Sequence, residues 1–189
     1  MANPKQCLPL NAGIRTLLFG LLLVICQGAF SQSKYIKRYR SIADSLSEIY
    51  KIPASVILGV AILESGSGTS RNSKLLNNHF GIVGKNDLLK TKNIKTRYKQ
   101  FPDVLASYVD FCKIIKKKKF YKKLKDNKDH TLWVDAISKA GYSEIPEYWR
   151  RKVLETIKKN KLSVPVDAIA NKKIKSAALH KFPAEAIAK

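Results

Sequence analysis

The chain has 189 residues, 45% of them hydrophobic, which allows one domain with a substantial core plus tails. Lysine and arginine number 36 against 14 aspartates and glutamates, so the formal charge of +22 implies an anionic partner. Nucleic acid, anionic lipid and the carboxylate- and phosphate-bearing bacterial wall all meet that requirement, and charge alone does not choose between wall and membrane.

The first 31 residues are typical of a secretory signal. Lys5 and Arg15 form a basic leader, and residues 17–25 are apolar but too short to span a membrane comfortably. Small residues near position 31 mark a cleavage point before Gln32. We therefore expect a secreted or periplasmic protein, with an uncleaved membrane anchor as the alternative. Export makes nucleic acid the least expected partner, and no motif that reads a nucleic-acid groove is visible.

Cys112 is the single cysteine outside this leader, so the mature chain has no intramolecular disulfide. Its place on the apolar face of a predicted helix indicates a small core residue rather than a nucleophile. The three histidines, His79, His130 and His180, stand far apart in different contexts. We therefore expect no metal site and no cofactor.

Two helices are predicted first in the mature chain. Residues 35–50 carry apolar side chains at helical spacing with cationic ones opposite, which predicts an amphipathic helix. Residues 54–63 are apolar on nearly every side, which predicts an enclosed central helix, and Pro53 suits its first turn. Glycines and serines at 65–68 can release this helix into a loop.

Glu64 is the single carboxylate at the end of the central helix. It faces the negative end of the helix dipole and has apolar neighbours, and both effects raise the pKa of a carboxyl group. A carboxyl group that keeps its proton suits a general acid. The alternative is a solvated residue in the last turn of an ordinary buried helix.

The helical period disappears between residues 81 and 101. Turn-forming residues occupy 84–87 and 91–93, and residues 94–100 then alternate in character. This pattern predicts a small antiparallel β-hairpin lobe, with an unstructured basic loop as the alternative.

Three further helices are predicted downstream. Asp103 is placed to cap an apolar stripe that ends in the lysine run 116–119, which is either a solvated face or a wall-adhesion surface. Residues 129–140 predict a helix with Leu132, Trp133, Ala136 and Ile137 inward. Pro146 begins the last helix, which ends at Leu162 and turns Trp149 to the core. Residues 163–189 predict a flexible basic tail.

Four sequence blocks resemble one known family. AILESGSGTS at 61–70, followed by NNHFGI at 77–82, resembles the signature of the glucosaminidase-domain peptidoglycan hydrolases, glycoside hydrolase family 73. AGYSEIPEYW at 140–149 resembles that family's Ala-Gly-Tyr-Ala-Thr-Asp-Pro-X-Tyr motif, and YKQF at 98–101 resembles its aromatic-Arg-X-Tyr block. The resemblance extends over residues 35–162.

This resemblance implies a fold and an activity. The fold class would be α+β, mainly helical and lysozyme-like, with the small β-hairpin lobe, in a domain that covers residues 32–162. The protein would be an endo-β-N-acetylglucosaminidase that cleaves the β-1,4 bond after N-acetylglucosamine in peptidoglycan, with Glu64 as the general acid. Its partners would be peptidoglycan glycan strands and the anionic wall surface, and it would act as a monomer.

The resemblance also implies a sugar site. The residues that would line it are Asn78, Phe80, Gly81, Tyr98 and Tyr148.

The second catalytic group remains open at this point. Glycosidases usually use two carboxylates, and Asp87 is the only one between residues 81 and 102, where the family commonly has a glutamate. Asp87 is better explained as a turn former beside Asn86. Alternatively the acetamide of the sugar attacks the anomeric carbon and Tyr142 stabilises it. A lytic transglycosylase or muramidase on the same fold, or a catalytically weak cationic wall-binding protein, are the competing hypotheses.

Overall fold

The structure is a computed structural model that describes residues 32–163. The predicted leader and residues 164–189 of the predicted tail lie outside the described residues. The described part is mainly helical, as expected, and none of its helices is long and apolar enough to cross a membrane. The helices are α1 (residues 32–50), α2 (Ala54–Ser65), α3 (Arg71–Leu76), α4 (Leu88–Lys92), α5 (Val104–Lys116), α6 (Tyr121–Leu124), α7 (His130–Lys139) and α8 (Pro146–Lys159).

The central helix α2 is enclosed, as its unbroken apolar run predicted. It packs against α5, α7 and α8, and it ends where Gly66 takes a left-handed conformation. Gly59 allows the closest approach to α8, because a Cβ atom there would lie 2.7 Å from Cγ1 of Ile157. A larger residue at position 59 would therefore push apart the two helices that build the site described below.

The amphipathic helix α1 covers one side of the core. Its apolar stripe is largely buried, although Ile49 is 39% exposed. The aromatic residues of this stripe, Tyr35, Tyr39 and Tyr50, lie in the core cluster. The predicted amphipathic helix is therefore confirmed, and its first two turns lie beside the loop that follows α2.

The predicted β-hairpin lobe is not observed among the described residues. One isolated antiparallel bridge joins Val83 to Tyr98, and the short helix α4 lies between the two arms. The Asn86 side chain donates to the carbonyl oxygens of Thr96 and Tyr98 at 3.0 and 2.9 Å. These bonds hold the loop in place, and the alternating pattern of residues 94–100 yields one isolated bridge among the described residues instead of a β-ladder.

The later helices begin close to the predicted positions, but α8 ends at Lys159 and not at Leu162. Asp103 caps α5 by accepting from the amide of Ala106 at 2.7 Å, and Pro146 opens α8. In α7, Trp133 and Ile137 are buried, but Leu132 is 45% exposed, which corrects its predicted inward position. Val134 occupies the buried face instead, because the helix is rotated so that Trp133 and Val134 both meet the core.

Candidate active site

Glu64 lies in the last turn of α2, where the core meets the surface. Its side chain is only partly buried, yet burial is sufficient to raise its pKa above the ordinary value. Nε1–H of Trp149 donates to Oε1 of Glu64 at 2.7 Å, which acts in the opposite direction because it also stabilises the ionised form. The net direction is upward, so the carboxyl group holds its proton to higher pH than a solvated glutamate.

Trp149 reaches Glu64 from the first turns of α8. The indole ring is buried, with 5% of the residue exposed, and a buried indole N–H normally finds an acceptor. The sequence predicted that Trp149 faces the core but did not predict its hydrogen bond to Glu64. The available signal of a role in the site was the place of Trp149 within the AGYSEIPEYW block. Trp149 therefore fixes the direction in which the Glu64 carboxyl group points.

The second carboxyl oxygen of Glu64 faces Gly81. A Cβ atom at Gly81 would lie 3.4 Å from Oε2 of Glu64 and 4.0 Å from Cε1 of Tyr98, and the residue has a φ of +65°. The missing side chain therefore leaves room in front of Oε2, and the positive φ independently favours glycine. The predicted site residues Gly81 and Tyr98 thus lie close to Glu64.

Tyr142 lies on the same side of the molecule. Its hydroxyl donates to the carbonyl of Phe80 at 2.8 Å, and its ring centroid is 5.1 Å from that of Trp149. Burial, and to a lesser extent the charge of Glu64, raise the pKa of Tyr142 well above its usual value. The phenol therefore stays neutral at physiological pH, and the structure brings it together with Glu64.

The loop that follows Tyr142 also approaches the residue 82–100 lobe. The guanidinium group of Arg97 lies 3.6 Å from Oε1 of Glu144, and the same group lies 5.7 Å from the ring centroid of Tyr98. Both charged side chains are more than half exposed, so the pair is screened by solvent and weak. It does show that the two loops approach each other.

Comparison with known proteins adds a family to this geometry. The glucosaminidase model, described as mannosyl-glycoprotein endo-beta-N-acetylglucosaminidase, matches residues 40–162. The chain belongs to this family. It is therefore a glycoside hydrolase, and the resemblance drawn from the sequence blocks is confirmed.

Solved structures show the same fold. The catalytic domain of the autolysin Auto from Listeria monocytogenes is 20% identical with a TM-score of 0.58, and covers 70% of this chain and 86% of its own. The glycoside hydrolase domain of Salmonella typhimurium FlgJ is 23% identical with a TM-score of 0.55, and the match covers 80% of this chain and 99% of that domain. A chain of a type VI secretion system effector-immunity complex from Pseudomonas protegens is 18% identical with a TM-score of 0.52, and the match covers 71% of this chain and 95% of that one. No curated protein matches the chain.

Two residues predicted to line the sugar site of this glucosaminidase lie in its interior. Asn78 is 1% exposed, and its amide donates to the carbonyls of Ile82 and Lys99 at 2.8 and 2.9 Å. Phe80 is 2% exposed and stacks on Phe111 with ring centroids 4.4 Å apart. Their side chains are occupied in holding the loop around Gly81, so the structure corrects their predicted placement on the cleft wall.

The remaining predicted residues are more exposed. Tyr148 is 52% exposed, with the charged groups of Arg151 and Lys152 lying 5.5 and 5.7 Å from its ring centroid. Asp87 is exposed at the start of α4, and its side chain makes no capping hydrogen bond. Its backbone amide donates to Oε1 of Gln100 at 3.2 Å, which fits its alternative role in a turn.

Proposed function

We propose that this glucosaminidase hydrolyses the β-1,4 bond that follows N-acetylglucosamine in peptidoglycan, with Glu64 as the general acid. The observation that carries the proposal is the partly buried carboxyl group at the end of α2, held by Trp149 and raised in pKa by burial. Family membership supports the reaction class. The fold shared with an autolysin and with a FlgJ glycoside hydrolase domain is consistent with a cell-wall substrate.

The two oxygens of Glu64 would have different tasks. Oε1 accepts the indole N–H at 2.7 Å, so the acidic proton belongs on Oε2, the oxygen that faces Gly81. The sugar would approach over Gly81, where no side chain blocks it, and Oε2–H would donate to the glycosidic oxygen as the bond to the anomeric carbon breaks. The leaving sugar then departs as an alcohol, and Glu64 is left ionised and hydrogen-bonded to Trp149.

The other half of the reaction would use the substrate's own acetamide. Its carbonyl oxygen attacks the anomeric carbon as the leaving group departs, and water later opens the resulting ring, returning a proton to Glu64. The Tyr142 oxygen, neutral and anchored by donation to the Phe80 carbonyl, would present its lone pairs to the positive charge that develops. Asp87 is the weaker candidate, since it lies exposed at the start of α4.

Lytic transglycosylation is the second candidate function. The observation that favours it is the absence of any glutamate between residues 81 and 102, because that reaction proceeds with one protein carboxyl group. Mass spectrometry of digested peptidoglycan separates the hypotheses. A reducing-end N-acetylglucosamine supports our proposal, a reducing-end N-acetylmuramic acid indicates a muramidase, and an anhydro-sugar indicates a transglycosylase. Absence of any cleavage would indicate a cationic wall-binding protein.

We further propose that the protein is exported and held at the anionic wall by its positive charge. The stretch from Lys116 to Lys128 carries exposed lysines, among them Lys117, Lys119 and Lys122, that form no ion pair with an acidic residue of the described chain. Sedimentation with insoluble wall should therefore weaken steeply with added salt. Retention that is insensitive to salt, or an unprocessed N-terminus in the cytosolic fraction, would contradict this.

A further inference from the structure

A cavity of about 340 Å³ opens between α1 and the loops that follow α2 and α3. None of the catalytic group Glu64, Tyr142 and Trp149 lines it, so its occupant would be separate from the bond that is cleaved. Within residues 32–163, no aspartate or glutamate lines it either. The polar and cationic residues on its wall are Lys34, Arg38, Ser67, Ser73, Asn77 and His79.

His79 is a buried polar group on the wall of this cavity. It is 3% exposed, and burial lowers its pKa to about 4, so the imidazole is neutral near pH 7 and has one N–H. The Tyr35 hydroxyl lies 2.6 Å from Nδ1, a distance typical of an O–H donor and shorter than usual for an N–H donor. Tyr35 therefore donates to Nδ1, and the ring hydrogen is assigned to Nε2.

The network behind His79 leaves that hydrogen available. The Tyr108 hydroxyl lies 2.9 Å from the Tyr35 hydroxyl and donates to it, which completes the chain from α5 through α1 to His79. Nε2 has no hydrogen-bond partner among residues 32–163. Every fully buried side-chain nitrogen or oxygen in that range has a partner, so Nε2 is not fully buried. Because His79 lines the cavity, Nε2–H reaches the open space and can donate to a ligand.

Positive charge surrounds this donor. Arg38 lines the cavity with its guanidinium carbon 5.5 Å from the Tyr39 ring centroid, and it pairs with no carboxylate of the described chain. Its charge is close enough to contribute to the lowered pKa of His79. Lys34, one helical turn earlier, adds a second cation. A cavity lined by cations and donors, without an acidic residue, has the chemistry of an anion site.

We propose that this cavity binds a carboxylate or phosphate group, with Nε2–H of His79 and the guanidinium group of Arg38 as its principal donors. The two sources differ: a carboxylate would come from a peptide, a phosphate from a phosphate-bearing polymer. The wall of Tyr35, Tyr39 and Val104 offers apolar surface for the atoms attached to the anion. This site does not depend on the catalytic role assigned to Glu64.

The test is a ¹H NMR titration that follows the imidazole C2 proton of His79 in the full chain. Signals lost in the His130→Gln and His180→Gln variants identify the other two histidines. N-acetyl-alanine and inorganic phosphate are the two anionic probes, and N-acetyl-alanine amide is the matched neutral control. We expect a saturable shift of the His79 signal with one or both anions and none with the amide.

Two variants on α1 separate a built site from general charge attraction. Arg38→Gln should weaken binding about tenfold, the value of one charge-assisted hydrogen bond. Lys37→Gln removes the same charge from an exposed position that does not line the cavity, and should weaken binding by less than about twofold. Binding of N-acetyl-alanine alone indicates a peptide source, and binding of phosphate alone indicates a polymer source.

Three results would overturn the proposal. They are a shift that does not saturate with either anion, equal weakening by Arg38→Gln and Lys37→Gln, and binding of the amide as tight as that of N-acetyl-alanine. The same titration in Glu64→Gln should give unchanged affinity. Loss of wall hydrolysis and loss of anion binding are therefore separate outcomes.

Discussion

Replacing Trp149 by phenylalanine removes the indole N–H and keeps most of the ring that packs beside Tyr142. The lost hydrogen bond, 2.7 Å long, runs to a carboxyl oxygen. Hydrogen bonds to charged groups contribute about 1.5 to 3 kcal/mol. The neutral carboxyl group also accepts from the indole, so about half of this energy favours the ionised form. That leaves about 1 kcal/mol in favour of the ionised form of Glu64, which the variant loses.

The sign of the change follows from which form loses its donor. The N–H stabilises the ionised carboxylate and so lowers the pKa, and its removal raises the pKa of Glu64 beyond the increase that burial already causes. A general acid acts when protonated, so the alkaline limb of the pH–rate profile should move to higher pH. The rate on the acidic side should fall modestly, because Glu64 loses the contact that orients it.

The assay is the initial rate of peptidoglycan hydrolysis from pH 4 to 9, with the variant's fold checked by circular dichroism. Trp133→Phe is the matched control, since its indole N–H donates to the carbonyl of Asn127 at 2.9 Å and not to Glu64. The reasoning is refuted if the alkaline limb stays in place or moves to lower pH in Trp149→Phe, or if Trp133→Phe moves it equally.

Two further predictions concern the second group and stability. Tyr142→Phe should lower turnover more than tenfold, about 1.4 kcal/mol, and Asp87→Asn less than tenfold, measured on one muropeptide; the reverse order would sink the acetamide route. In the wild type, the raised pKa of Glu64 contributes to the free energy of unfolding. This contribution is complete below the pKa of a glutamate in the unfolded chain, about 4.3, and is lost as pH rises through the higher pKa of the folded state. Urea unfolding should therefore show Glu64→Gln gaining stability over wild type from pH 4 to 8, and a constant or shrinking difference would contradict this.

The central helix and its terminal acid could be predicted because their signals are local. The apolar run of residues 54–63 has no polar face to expose, so burial follows from composition alone. Asp103 and Pro146 likewise act on backbone groups within one turn of themselves. The family itself was also predictable, because its motif blocks are contiguous in the chain.

The contacts that define the site are not local, and the sequence did not reveal them. Trp149 meets Glu64 across 85 positions of the chain, and its place in the AGYSEIPEYW block was the one available signal, which marks the residue but not its partner. Resemblance to a motif also does not show which way a side chain points. Asn78 and Phe80 were therefore predicted to line the cleft, although their side chains are buried. The β-hairpin lobe was predicted from the alternation of residues 94–100, but alternation does not show how far two strands pair, and one isolated bridge joins the arms among the described residues.

The role of Glu64 is tested most directly by turnover of purified peptidoglycan in Glu64→Gln beside Glu48→Gln. Glu48 is an exposed carboxylate on α1, so its variant makes the same chemical change away from the site. Loss of a general acid should lower the rate by about 10²- to 10⁴-fold in Glu64→Gln, and the rate should stay within about twofold in Glu48→Gln. A folded Glu64→Gln variant that hydrolyses peptidoglycan at a near-wild-type rate would contradict the assignment of Glu64 as the acid.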